Sequence, residues 1–217
     1  MQLCMQGDLG QVITSRVAAS SPFSEIEVFC VLAQMALAVE FIHSKGVLHR
    51  DIKPQNVLVL DGVRIVLGDL GVARKLDAGA MAQTRKGTLG FLCPEILSDQ
   101  PYGVKADIWG VGCTIHALAS GKTTSPFESN SRNALASIQK ILNEPPAPIP
   151  TTTYSADLQR IVNSLLSKDP VNRPDARQVI MEPAVKLQVN SFFRPLVPLF
   201  TGEAKVSLDA QFVRLGI

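Results

Sequence analysis

The segment His49-Arg50-Asp51-Ile52-Lys53-Pro54-Gln55-Asn56 brings a carboxylate, an ammonium group and an amide into eight residues. Transfer of a phosphoryl group to a hydroxyl asks for an acceptor for the hydroxyl proton, a cation beside the moving phosphate and an oxygen ligand for Mg²⁺. Asp51, Lys53 and Asn56 are of the right types for those roles, in that order. A second carboxylate, Asp69, sits in Gly68-Asp69-Leu70-Gly71. Glycines around a carboxylate allow unusual backbone angles and let phosphates come close, so Asp69 joins Asn56 as a candidate metal ligand. Taken alone, the second stretch reads equally well as a solvated turn.

Such side chains need a loop pinned at both ends. On the amino-terminal side, Ser24 and Glu27 have capping-box spacing. Ile26, Val28, Phe29, Leu32, Met35, Val39 and Ile42 then recur at helical intervals, and Gly46 is a suitable carboxy-terminal cap. On the other side, Val57–Leu60 reads as a short strand, Asp61-Gly62 as a hairpin turn and Arg64–Leu67 as the return strand. Gly7-Asp8-Leu9 leads into a short helix near Leu9–Arg16. The apolar stretch Ile108–Ala119 predicts a helix buried on all sides, ended by Gly121, with Asp107 reading as an N-cap. Further helices are expected over 131–143, around Leu158–Leu166 and over 175–181, with the stiff connector Pro145–Pro150 between the first two. His43 reads as a packing or capping histidine and His116 as core. Residues 72–95 show no periodicity and suit a mobile surface segment. Residues 184–217 are apolar and proline-broken in part, and no function is assigned to them.

Composition narrows the class. A net charge of +2 argues against nucleic acid as the main partner. Cys4, Cys30, Cys93 and Cys113 form no C-x-x-C pair, which points to reduced thiols and an intracellular, cytoplasmic setting. No signal peptide is visible, and Ile108–Ala119, read as the most apolar stretch, is too short to span a bilayer.

His-Arg-Asp followed by Asn five residues after the aspartate resembles the catalytic loop of eukaryotic protein kinases. Gly68-Asp69-Leu70-Gly71 matches the D-F-G motif, with Leu70 in the phenylalanine place. Cys93-Pro94-Glu95 matches A-P-E, and Lys168-Asp169-Pro170-Val171-Asn172-Arg173-Pro174 holds the arginine expected to pair with Glu95. From Leu3 to about Met181 the chain resembles the carboxy-terminal lobe of a serine/threonine kinase, a mainly α-helical fold with a small β-hairpin at the active site. The residues Cys4, Gly7-Asp8-Leu9, Gly68–Arg74 and Lys105–Cys113 are most similar to NIMA-related kinases.

The resemblance implies ATP and Mg²⁺ as cofactors and serine or threonine side chains of proteins as acceptors. Regulatory protein partners are compatible with it, and no membrane span is expected. It gives Asp51, Lys53, Asn56 and Thr88 catalytic roles. It places adenine on the backbone of Leu3 and Cys4, with Leu58 beneath the ring, Asp8 near the ribose and Lys53 and Asp69 at the phosphates. Arg50 and Thr84 become a regulatory pair, with Arg74 or Lys75 assisting. His49, Leu70, Glu95, Asp107 and Arg173 take structural positions, Asp107 bonding the backbone of the catalytic loop.

The expected layout is a kinase unit over 1–183 and a tail over 184–217. The sequence holds no G-x-G-x-x-G-x-V loop and no amino-terminal-lobe lysine or glutamate, since Met1 falls where the hinge is expected. Little activity is therefore expected of the chain alone. The alternative reading is a non-catalytic scaffold or protein-binding module.

Overall fold

The computed structural model describes residues 6–62, 64–69, 74–75, 89–128, 134–195 and 202–216. Helix α1 spans Leu9–Ala18 and starts where the Asp8 carboxylate accepts the Gln11 N–H at 3.0 Å. Helix α2 spans Glu25–Ser44. Both halves of the Ser24–Glu27 capping box form at its start, and Gly46, at φ 71°, follows its end. From Val28 to Leu37 this helix is buried on every side. Ile26 departs from the expected apolar stripe and is 65% exposed, because the first turn precedes the enclosed part of the helix. By length and composition α2, rather than Ile108–Ala119, is apolar enough to cross a membrane. A helix that is hydrophobic all round is what a core centre requires, and α2 packs against α4, α7 and α8.

Among the described residues, four short strands lie around the His49–Asn56 segment. Strand β1 (Val47–Leu48) pairs antiparallel with β4 (Arg74–Lys75). Strand β2 (Val57–Asp61) pairs antiparallel with β3 (Arg64–Leu67), with Val57 opposite Leu67 and a bulge between Val59 and Asp61. Gly62 at the turn has φ 49°, where a side chain would be strained. Gly7 accepts the Val59 N–H at 2.9 Å, and Asp8 forms a β-bridge with Leu58. The first described residues are thereby stitched to the hairpin.

The remaining helices are α3 (Pro94–Leu97), α4 (Val104–Ser120), α5 (Ala134–Asn143), α6 (Ala156–Leu165), α7 (Ala176–Met181), α8 (Pro183–Gln188) and α9 (Gly202–Leu215). All residues of α4 from Asp107 to Ala119 are buried, and Gly121 at φ 68° ends it. The N-cap is Gly103, so the expectation that Asp107 caps this helix is corrected. Asp107 lies inside the first turn, and its carboxylate serves another segment. A Cβ on Gly112 would lie 2.8 Å from the Leu165 Cβ, so glycine lets α4 and α6 approach closely. Helices α8 and α9 go beyond the sequence expectation. Val185, Val189, Phe212 and Leu215 carry the tail into the main core.

Glu95 and Arg173 meet as a buried two-point ion pair, at 2.8 and 3.0 Å. Arg173 also donates to the carbonyls of Lys105 and Ser167, and its guanidinium lies over the Trp109 ring. Trp109 in turn stacks on Phe127 with centroids 5.3 Å apart. Burial raises the Glu95 pKa, but the hydrogen bonds and charge of Arg173 outweigh it and hold the carboxyl below its ordinary 4.5. A depressed carboxyl adds stability above its unfolded pKa and loses it as pH falls through the folded one. Urea unfolding of the wild type is therefore expected to show stability falling below about pH 4.5, with a flatter acid limb in Glu95→Gln. At neutral pH Glu95→Gln is expected to cost about 3–5 kcal/mol, since it strands the buried Arg173 charge.

Candidate active site

The Asp107 carboxylate fixes the backbone of the catalytic segment. Its Oδ2 accepts the His49 N–H at 2.9 Å and its Oδ1 accepts the Arg50 N–H at 2.8 Å. His43 Nε2 meets Oδ2 from the end of α2 at 2.7 Å. Arg50 sits in the left-handed region, at φ 69°. A non-glycine residue there costs of order 1–3 kcal/mol and persists only when its surroundings hold it. The two neighbouring N–H groups on one buried carboxylate supply that hold. A Cβ on Gly110, one turn along α4, would lie 2.8 Å from the Ile52 carbonyl oxygen. Glycine at 110 therefore lets the loop rest directly on the helix.

His49 is fully buried. Its Nδ1 accepts the Asp51 N–H at 3.4 Å, which places the ring proton on Nε2, and Nε2 donates to the Gly68 carbonyl at 2.9 Å. This one ring links the Asp51 segment to the residue before Asp69. Asn56 and Gly68 are joined directly, as Gly68 N–H donates to the Asn56 carbonyl at 2.8 Å. The β2–β3 register thus sets Asn56 across from Gly68, next to Asp69. Asp69 is exposed and left-handed, at φ 57°.

The side chains of the loop converge on Asp51. Lys53 Nζ donates to Asp51 Oδ2 at 2.6 Å, and Asn56 Nδ2 donates to the same oxygen at 2.8 Å and to the Asp51 carbonyl at 2.7 Å. Asp51 Oδ1 is buried and has no hydrogen-bond partner among the described residues. One carboxylate oxygen therefore takes two donors while the other is buried without a partner among the described residues. Because the Asn56 amide nitrogen is spent on Asp51, its carbonyl oxygen is left for other work. Asn56 and Asp69 offer hard oxygen donors of the kind Mg²⁺ takes, so the residues present fit that ion.

Arg50 Cζ lies 5.5 Å from the centre of the Tyr102 ring, and Arg50 Nε is buried with no partner among the described residues. Asp8 and Leu58 lie side by side through their bridge, Leu58 half-buried. Asp8 is also the α1 cap, its carboxylate accepting the Gln11 N–H three residues on. Leu3, Cys4, Leu70, Thr84 and Thr88 lie outside the described residues, and for Arg74 and Lys75 only the backbone is described. The sequence reading underrated His43, whose contact with Asp107 spans 64 positions and leaves no local spacing to notice.

The sequence model of the protein kinase domain matches residues 1–185. The chain belongs to the protein kinase family. Mouse serine/threonine-protein kinase Nek5 is 37% identical over 199 residues, covering 91% of this chain and 31% of that protein. Mouse Nek4 is 34% identical over 193 residues, covering 88% and 24%. Rice Nek3 is 34% identical over 209 residues, covering 94% and 34%. The NIMA-related resemblance read from the sequence is thereby supported, and the kinase fold is mainly helical as expected. The chain spans about a quarter to a third of the length of these relatives.

Removing the anchoring carboxylate tests this geometry. Asp107→Ala strands two N–H groups in a buried setting, each costing about 1–3 kcal/mol. A loss of about 2–5 kcal/mol is expected in urea unfolding, with amide chemical shifts at His49, Arg50 and Asp51 moved. A variant as stable as the parent, with those shifts unchanged, would remove Asp107 from this role.

Proposed function

We propose that this chain carries the phosphoryl-transfer machinery of a serine/threonine protein kinase. The observation that supports it most is the asymmetry of Asp51, with Oδ2 saturated by Lys53 and Asn56 and Oδ1 buried and unpartnered among the described residues. Asp51 orients the serine or threonine hydroxyl and takes its proton. Lys53, within reach of Asp51, steadies the γ-phosphate of ATP. Asn56 and Asp69 hold Mg²⁺, which when bound neutralises charge on the phosphates. Leu58 lies beneath adenine, Asp8 stands near the ribose, and the backbone of Leu3 and Cys4 bonds the base. Thr88 braces Asp51 and Lys53, and Leu70 is the apolar plug beside Asp69. The kinase unit runs over 1–183 and the tail over 184–217.

An intracellular setting and protein substrates complete the reading. Cys30, Cys93 and Cys113 are free and buried. Burial pushes the Cys93 and Cys113 thiols well above their ordinary pKa, so both stay protonated and unreactive. Residues 1–217 by themselves offer adenine one apolar face. Losing the second, about 80–100 Å² of contact, lowers ATP affinity roughly 30-fold. The 217-residue chain alone is therefore expected to turn over little, and fusion to the amino-terminal lobe of a relative to restore turnover.

In a γ-labelled ATP assay on that fusion, Asp51→Asn is expected to lower kcat by roughly 10²–10⁴-fold with little change in the KM for ATP. Equal turnover in the variant would sink the catalytic assignment and bring forward the scaffold reading. Arg50 beside Asp51 makes activation-segment phosphorylation the expected control, through pairing of its charge with a phosphate. Thr84→Asp should then raise the activity of the fusion above that of Thr84→Ala, and identical rates would count against Thr84 as the control site.

A further inference from the structure

The tail helix α9 lies beyond the stretch that matches the kinase domain, and nothing in the catalytic reading uses it. Its last two turns are seated on the carboxy-terminal half of α2. Gln211 is 4% exposed, and its Nε2 donates to the Leu37 carbonyl at 2.8 Å and to Glu40 Oε2 at 2.7 Å. Arg214 donates to the same Glu40 oxygen at 2.7 Å. Phe212 and Leu215 beside them are buried in the main core. Apolar burial alone would let a tail helix slide along its partner. A buried amide spent on a backbone carbonyl and a carboxylate fixes one register, since any shift strands polar groups.

The position of that register matters. From Val28 to Leu37 α2 is enclosed by the core, whereas Phe41, Ser44 and Lys45 are exposed. His43 lies one turn past Glu40, in the part of α2 that leaves the core. His43 is also the residue that reaches Asp107 at 2.7 Å, and Asp107 holds the His49 and Arg50 N–H groups in front of Asp51. Helix α9 therefore grips α2 just before the turn on which the loop anchor depends.

We propose that α9 is an intramolecular clamp for the catalytic loop, acting as a positioning element through Glu40, the last turn of α2, His43 and Asp107. The proposal rests on the kinase reading only for what the loop does. Its mechanical content stands without it, so the test reads structure rather than turnover.

Hydrogen–deuterium exchange by mass spectrometry on the full 217-residue chain would be compared with Gln211→Leu, Arg214→Glu and a chain ended after Pro195. Exchange over Phe41–Lys53 is expected to rise by about fivefold or more, the size of one net hydrogen bond lost from a local opening. Exchange over Ile161–Leu165 in α6 is expected to stay at the parental rate. With His43→Phe in place, Arg214→Glu is expected to add nothing further at Leu48–Lys53, since the route is already cut. Faster exchange at Phe41–Lys45 with none at Leu48–Lys53 would mean that the tail covers the helix without reaching the loop, and would overturn the proposal. A uniform rise through α6, or a full additive rise on the His43→Phe background, would overturn it as well. Failure of the Asp51→Asn assay would leave these exchange patterns untouched, so the two readings fail separately.

Discussion

A buried carboxylate is costly unless donors surround it, and Asp107 is surrounded from two directions. Two backbone N–H groups of the catalytic loop and one imidazole from α2 converge on it. Without that carboxylate the His49 and Arg50 N–H groups lose their acceptor, and the left-handed turn at Arg50 loses its support. The loop is irregular, yet it is held as firmly as a regular element. Its hydrogen bonds go to a helix that is buried over three turns.

That helix, α4, ties together two distant parts of the chain. Near its start Asp107 and Gly110 meet the catalytic loop. In the same stretch the Lys105 carbonyl and the Trp109 ring meet Arg173, which carries Glu95. Lys105 returns a bond from its ammonium to the Arg173 carbonyl. Glu95 and the loop around Asp51 are thus both tied to one helix. Glu95 and the loop around Asp51, from distant parts of the chain, keep a common frame because each is bonded to α4 or to something that α4 holds.

The candidate site is held together by more than the side chains of the loop itself. Asp51, Lys53 and Asn56 form a compact triangle, but His49 joins that triangle to Gly68 and so to Asp69. The β2–β3 register does the same through backbone. Two strands of four and five residues suffice to set Asn56 across from Gly68, and the hairpin turn at Gly62 sets their register.

Features carried by neighbouring residues were legible in the sequence. The Ser24–Glu27 capping box, the turn at Asp61-Gly62, the glycine ends of α2 and α4 and the order of the kinase motifs all depend on spacings of a few positions. The Glu95–Arg173 pair was legible only because two motifs predicted it together. Tertiary structure alone decided the rest. It gave His43 a partner 64 positions away, left Ile26 in solvent and folded α9 back onto α2. The physical reason is range. Local spacing sets backbone periodicity and capping, whereas the partner of a buried polar group is chosen by which elements the packed core brings together.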